Sequence, residues 1–128
     1  MYTQIEIETH FEGKLKIAYL NQPETYNSLN KILLQELKNF IVACNEDENV
    51  RCVALSGRGK AFCSGQNLKE ALSLGNVEKE RVIQKMVVDY YNPLVEEIAH
   101  CRKPVVSLVN GPAVGAGAML ALICDICL

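Results

Sequence analysis

Two apolar segments, each followed at once by a glycine-bearing loop and then by a helical pattern, constrain the fold of this chain more than any other feature. Residues 50–56 precede the loop at residues 57–65, and residues 105–110 precede the loop at residues 111–117. Strands that are apolar on both faces fit a sheet covered on both sides, and strands alternating with helices form an α/β layer fold. We therefore predict an α/β protein with an apolar sheet at its centre.

The amino-terminal part of the chain predicts a hairpin and a helix. Residues 2–8 and 14–20 alternate apolar and polar side chains on either side of a turn at Gly13, which is typical of a β-hairpin. Apolar side chains then recur at helical spacing over residues 29–44. The candidate N-caps of this helix are Asn27, Ser28 and Asn30.

The remaining segments continue the alternation of strands and helices. A second helical pattern spans residues 77–101, and Pro93 inside it predicts a kink or a break after Asn92. A short helical piece is predicted near residues 66–72, and an apolar helix and the start of one more strand follow the second loop. Without a repeat or a linker, residues 1–128 predict a single domain.

Charge and hydropathy exclude several classes of partner. Thirteen basic and fifteen acidic residues give a net charge of -2, so the bulk charge favours neither nucleic acid nor an anionic membrane surface. The apolar run at residues 113–128 is too short to cross a bilayer and contains Asp125. Residues 1–8 carry no basic stretch followed by an apolar core. We therefore expect a cytoplasmic protein with no nucleic-acid and no membrane partner.

The cysteines do not predict a disulfide framework or a metal site. They are scattered irregularly, and we expect them to be reduced and mostly core-filling. Cys124 and Cys127 have the spacing of a redox or metal site, but they follow a helix and have no second cysteine pair. The six cysteines are Cys44, Cys52, Cys63, Cys101, Cys124 and Cys127.

The two loops are the candidate binding site. At a strand-to-helix connection, unpaired backbone N–H groups can hold an anion. Small residues in both loops, namely Ser64, Gly65, Gly115, Ala116 and Gly117, allow a ligand to approach the main chain closely. Neither loop supplies an obvious nucleophile with a base.

Two other interpretations of these loops fit the residues less well. A hydrolytic nucleophile elbow at Ser64 requires a glycine where Gln66 stands. A dinucleotide fingerprint around Gly115 and Gly117 requires a third glycine where Leu120 stands.

Three segments, in order and covering most of the chain, resemble the enoyl-CoA hydratase/isomerase (crotonase) superfamily. They are residues 57–70, residues 103–117, and the early Asn21-Gln-Pro and Asn27-Ser-Leu-Asn30 motifs. The resemblance implies the crotonase (ClpP-like) fold, a spiral of β-β-α units, here truncated to its amino-terminal half. It also implies an acyl-CoA thioester as substrate, with no separate cofactor because coenzyme A is part of the substrate, and a homo-oligomer, either a trimer or a hexamer.

The resemblance also assigns the site. The backbone N–H groups of Ser64 and Ala116 would form an oxyanion hole for the thioester oxygen. Asn67 stands where the family usually has aspartate, so polar contacts are kept there without the negative charge. The residues implied to contact the substrate are Ser64, Gly65, Gln66, Asn67, Leu68, Gly115 and Met119.

Met119 decides which chemistry the resemblance favours. Hydratases of the family carry a glutamate at this position, and a methionine cannot accept a proton or orient water. The sequence therefore favours an enoyl-CoA isomerase, which shifts a double bond by proton transfer between the α and γ carbons, with a hydratase as the other enzyme candidate. The carboxylate that such isomerases use would lie beyond Leu128. A catalytically inactive fragment, or an acyl-CoA binding or interaction module, is the alternative from another functional class.

Overall fold

A computed structural model describes residues 1–67, 69 and 75–128 of the chain. Most of the helical piece expected near residues 66–72 lies outside them. The strands are β1 (Ile5–His10), β2 (Leu15–Leu20), β3 (Cys52–Gly57), β4 (Val105–Ser107) and β5 (Ile126–Cys127). The helices are α1 (Lys31–Glu46), α2 (Asn76–Met86), α3 (Asn92–His100) and α4 (Ala116–Leu122), with a 3-10 turn at Pro23–Thr25 and a π-helical turn at Val87–Tyr91 between α2 and α3.

The strands form one sheet in the order β1-β2-β3-β4-β5. β1 and β2 are the predicted antiparallel hairpin, and every later neighbouring pair is parallel. Strand β3 is buried over most of its length, as expected of a central strand covered on both faces. The α/β prediction is therefore confirmed, and both candidate loops follow parallel neighbouring strands, β3 and β4.

Helix α1 begins where one of the three candidate caps predicts. The Asn30 side chain accepts a hydrogen bond from the Leu33 N–H at 2.8 Å, which makes Asn30 the N-cap. Asn27 is instead fully buried, and its side-chain amide donates to the carbonyls of Arg58 and Ala61 at 3.0 Å. Through these hydrogen bonds, Asn27 connects the turn before α1 to the loop after β3.

Glu36 joins the inner face of α1 to the start of the hairpin. Its carboxylate accepts hydrogen bonds from the N–H groups of Thr3, Gln4 and Ile5 and from the Thr3 hydroxyl, at 2.8 to 3.2 Å. Burial alone would raise the pKa of this carboxyl, but these donors outweigh burial and lower its pKa below the ordinary value of 4.5. The ionised form of Glu36 therefore stabilises the fold.

Replacing Glu36 with glutamine is expected to lower the free energy of unfolding by about 2 kcal/mol near neutral pH. The side-chain amide of the glutamine would place its own N–H donors against backbone N–H groups that now donate to the carboxylate. Because the folded-state pKa is lowered, the stabilisation is complete above the ordinary pKa of 4.5 and is lost as the pH falls through the folded-state value. Urea unfolding at neutral and acidic pH should show a difference between wild type and variant that shrinks in acid.

A matched control is available on the same helix. Glu46 is exposed in the last turn of α1, so Glu46→Gln should change the free energy of unfolding by less than about 0.5 kcal/mol. Equal losses in the two variants would contradict the role assigned to Glu36.

Of the kink or break predicted at Pro93, the break does not occur. No break follows Asn92, which keeps right-handed helical backbone angles, with φ of -59° and ψ of -44°. The irregularity lies in the preceding π-helical turn. Proline has no N–H and its ring collides with the carbonyl four residues earlier, so a wider turn can accommodate it without interrupting the helix. The buried positions on this stretch consequently step from Met86 to Tyr91, a spacing of five instead of the usual three or four.

The carboxy-terminal elements agree with the prediction in type but not in length. β4 ends at Ser107 instead of residue 110, because the chain leaves the ladder to form the second loop.

The cysteines are free, as expected; Cys44, Cys63 and Cys124 fill the core, whereas Cys127 is exposed. Among the described residues, no helix is long and apolar enough to span a membrane.

Candidate functional site

The loop after β3 and the loop after β4 are joined by backbone hydrogen bonds. Cys63 and Ala113 form an isolated parallel bridge. The Phe62 N–H donates to the Pro112 carbonyl, and the Val114 N–H donates to the Cys63 carbonyl, both at 3.0 Å. The two loops therefore form one rigid structure at the ends of neighbouring parallel strands.

Two glycines make this close approach sterically possible. A Cβ at Gly117 would lie 2.3 Å from the Cys63 carbonyl oxygen. A Cβ at Gly65, whose φ is +100°, would lie 2.9 Å from the Val114 carbonyl oxygen. Any larger residue at either position would push the loops apart.

The second loop presents an unpaired backbone donor. Gly115 has φ of 56° and ψ of -123°, a conformation that only glycine adopts without strain. The Gly117 N–H closes the turn by donating to the Val114 carbonyl at 2.9 Å. Ala116 lies inside this turn at the first position of α4, and its N–H has no hydrogen-bond partner within the described residues.

Ser64 does not present the donor that the family resemblance assigns to it. Its N–H donates to the Tyr26 carbonyl at 2.9 Å, and its hydroxyl donates to the Thr25 carbonyl at 3.0 Å. Both groups are therefore committed to the turn before α1, and the Ser64 side chain is exposed.

Gln66, two residues later, has the backbone geometry expected of Ser64. The Leu29 N–H donates to the Gly65 carbonyl at 2.7 Å, and the Asn67 N–H donates to the Leu29 carbonyl at 2.9 Å. In a parallel bridge of this kind the residue between the two bonded ones directs its own N–H away from the partner strand. The Gln66 N–H has no partner among the described residues. Residue type alone could not have revealed this, because the direction of an N–H depends on backbone pairing.

A cavity of about 1060 Å³ opens between these loops and the helical layer. Its wall includes five of the predicted site residues, whereas Ser64 and Gly65 lie outside the described lining and Leu68 lies outside the described residues. The predicted residues on the wall are Gln66, Asn67, Gly115, Ala116 and Met119. The remainder of the wall consists of Asn30, Lys31, Ile32, Lys69, Val82, Ile83, Met86, Val87, Tyr91, Asn92, Val95 and Ile123.

Tyr91 is a site residue that the sequence prediction missed. It is 8% exposed, lines the cavity from the π-helical turn, and donates a hydrogen bond from its hydroxyl to Oε1 of Gln66. Burial raises the pKa of this phenol strongly, with a smaller contribution from the nearby Cys63. Tyr91 therefore stays protonated near neutral pH and acts as a hydrogen-bond donor.

Cys63, which belongs to the first loop and pairs with Ala113 of the second, is not a nucleophile. Burial raises the pKa of its thiol to about 11, against a smaller opposing effect of a hydrogen bond from the Gly65 N–H. The thiol is therefore protonated near neutral pH. No group of three or more potential metal ligands occurs in the described part of the chain.

Comparison with known proteins decides the family. A family model for enoyl-CoA hydratase/isomerase matches residues 11–128. The chain belongs to the enoyl-CoA hydratase/isomerase family. The 1,2-epoxyphenylacetyl-CoA isomerase of Escherichia coli (strain K12) is 38% identical over 123 residues, which cover 94% of this chain and 45% of that protein.

Solved structures of the family share the fold. An enoyl-CoA hydratase from Bacillus anthracis matches with a TM-score of 0.81 at 31% identity, covering 96% of this chain and 46% of that one. An enoyl-CoA hydratase/isomerase from Xanthobacter autotrophicus Py2 matches with a TM-score of 0.80 at 34% identity, covering 98% and 45%. The crotonase fold is therefore confirmed, and this chain spans about half the length of the family members that it matches.

Proposed function

We propose that this chain binds an acyl-CoA thioester and stabilises its enolate, the part of an enoyl-CoA isomerase reaction that its own residues can perform. One observation carries the proposal: the backbone N–H groups of Gln66 and Ala116 belong to two hydrogen-bonded loops, have no described partner, and come from residues on one cavity wall. We accordingly propose Gln66 in place of Ser64 as the first oxyanion donor, with Ala116 as the second.

The chemistry of a double-bond shift requires such donors. When a base breaks a C–H bond of the enoyl chain, the electron pair moves towards the thioester and the carbonyl oxygen becomes negative. Preformed N–H donors in a cavity that excludes water stabilise this charge by roughly 3 kcal/mol each. Reprotonation at the other end of the delocalised system completes the shift, and no atom of the solvent is added.

Met119 supports isomerisation over hydration. It stands on the wall beside Ala116, and a thioether neither removes a proton nor activates water. Within the described part of the chain the cavity lining contains no carboxylate, so we assign no proton-transfer step to these residues. The same observation favours the second candidate function, an acyl-CoA binding module without turnover.

Calorimetric titration with hexanoyl-CoA and with coenzyme A alone tests the binding proposal. We expect the acyl thioester to bind at least about tenfold more tightly than coenzyme A, because the apolar wall and the two N–H donors contact only the acyl part. Equal affinity for the two ligands, or no binding of either, would overturn the acyl-CoA site.

Turnover assays with 3-hexenoyl-CoA and crotonyl-CoA separate the candidate functions. Conjugation of the double bond without hydration supports the isomerase, and binding without either reaction supports the binding module. Hydration of crotonyl-CoA faster than the double-bond shift would contradict the role proposed for Met119.

A further inference from the structure

Tyr91 is the most deeply buried polar side chain on the cavity wall, among the residues that the structure describes. The lysines of the wall, Lys31 and Lys69, are exposed at its rim, as is Asn92. The mechanism of enolate stabilisation makes no use of the Tyr91 hydroxyl.

Two other polar side chains of the described wall use their side-chain oxygens in local hydrogen bonds. Asn30 caps α1 through the Leu33 N–H, and the Asn67 side chain accepts from the Lys69 N–H at 3.0 Å. Tyr91 and Gln66 are instead bonded to each other, hydroxyl to Oε1. This Tyr91–Gln66 pair therefore joins the most deeply buried hydroxyl of the described wall to a second polar side chain of the same wall.

The pair has hydrogen-bonding capacity that the protein does not use. A phenol oxygen can accept hydrogen bonds in addition to the one that it donates, and a side-chain amide has two N–H donors. The Gln66 Nε2 donates to the Asn67 carbonyl at 3.1 Å, which occupies one of the two. Within the described residues, the second N–H of Gln66 and the acceptor positions of Tyr91 have no partner.

Because the pair lies among apolar side chains, leaving its remaining donor and acceptors without hydrogen bonds costs free energy. Met86, Val95 and Met119 contribute apolar surface to the same wall. A plain hydrocarbon chain filling the cavity would exclude water from the pair and leave its remaining donor and acceptors unsatisfied, whereas a ligand oxygen would satisfy them.

We propose that the Tyr91–Gln66 pair selects acyl-CoA thioesters whose acyl group carries a hydroxyl or ether oxygen beyond the thioester over those with a plain hydrocarbon chain. The inference rests on the proposed acyl-CoA site and adds to it the chemical class of the acyl group. Because the Tyr91 proton is donated to Gln66, the phenol oxygen accepts from a ligand hydroxyl, and the second side-chain N–H of Gln66 donates to a ligand hydroxyl or ether oxygen. The raised pKa of Tyr91 keeps the phenol neutral in this arrangement.

The test compares hexanoyl-CoA with the two enantiomers of 3-hydroxyhexanoyl-CoA by calorimetric titration of the full chain. We expect the wild type to bind one hydroxyacyl enantiomer about tenfold more tightly than hexanoyl-CoA, the magnitude of one well-placed hydrogen bond in an apolar wall. In Tyr91→Phe the ratio of the dissociation constants of hexanoyl-CoA and that enantiomer should fall to about twofold or less. Tyr90→Phe is the matched control: its ring lies near the Lys31 ammonium at 5.9 Å, outside the described cavity lining, and the preference should persist.

Each outcome has one meaning. Equal binding of hexanoyl-CoA and both hydroxyacyl enantiomers by the wild type overturns the inference and leaves the acyl-CoA site intact. Persistence of the preference in Tyr91→Phe, or its loss in Tyr90→Phe, also overturns the inference. If no acyl-CoA binds, the proposed function itself fails and the inference with it.

Discussion

Replacing Gly117 with alanine is expected to lower the free energy of unfolding by at least about 3 kcal/mol, a loss typical of severe steric conflict. The new Cβ would lie 2.3 Å from the Cys63 carbonyl oxygen and 2.8 Å from its carbonyl carbon. These are backbone atoms inside the bridge between the two loops, so no side-chain rotation relieves the conflict. Urea unfolding followed by circular dichroism measures the loss, and acyl-CoA binding should weaken in parallel.

Gly75→Ala is the matched control for this prediction. Among the described residues, a Cβ at Gly75 would meet no atom within 4 Å, and Gly75 has an ordinary φ of -67°. Its replacement should change the free energy of unfolding by less than about 1 kcal/mol, in either direction. A Gly117→Ala protein as stable as the Gly75→Ala protein would contradict the close approach of the loops.

Replacing Ala116 with proline is expected to remove one of the two proposed oxyanion donors while keeping the fold. Loss of one donor should lower the rate of any double-bond shift about 100-fold. It should also remove about half of the low-frequency shift of the thioester carbonyl band in the infrared spectrum of bound hexanoyl-CoA, since that shift reports the hydrogen bonds to the oxygen. The infrared measurement does not depend on turnover.

The backbone of the second loop can accept this proline. Ala116 occupies the first position of α4, where proline is tolerated because its missing N–H has no intrahelical partner. Gly115, with φ of 56° and ψ of -123°, has the mirror image of the extended conformation that a residue before proline prefers. Ala116→Ser, which retains the N–H, should keep the full infrared shift. An unchanged shift in a folded Ala116→Pro protein would exclude Ala116 as a donor.

The secondary structure around the site could be predicted because it depends on local patterns. Alternation of apolar residues predicted β1 and β2, and helical spacing predicted α1 with three candidate caps, of which the structure shows Asn30 to be the N-cap. The glycine-bearing loops were predicted to carry the site, and among the described residues the Ala116 N–H has no hydrogen-bond partner. In each case the controlling residues are neighbours in the sequence.

The parts that the sequence did not predict depend on contacts between distant segments. The Ser64 N–H is unavailable because the Tyr26 carbonyl accepts from it, and the Gln66 N–H is available because of the pairing with Leu29. Tyr91 was missed for a similar reason. Its burial follows from the five-residue spacing after Met86, which regular helical periodicity does not produce.

The π-helical turn makes the composition of the cavity wall depend on the length of a helix. A turn of this kind holds about one residue more than an α-helical turn, so all positions after it are rotated by about 100° relative to a regular helix. Deleting one residue from Val87–Tyr91 would restore the regular register and present a different side chain where Tyr91 now lies. On the proposed role of Tyr91, a one-residue deletion in this turn would therefore change the acyl groups that the site accepts, with every loop residue of the site unchanged.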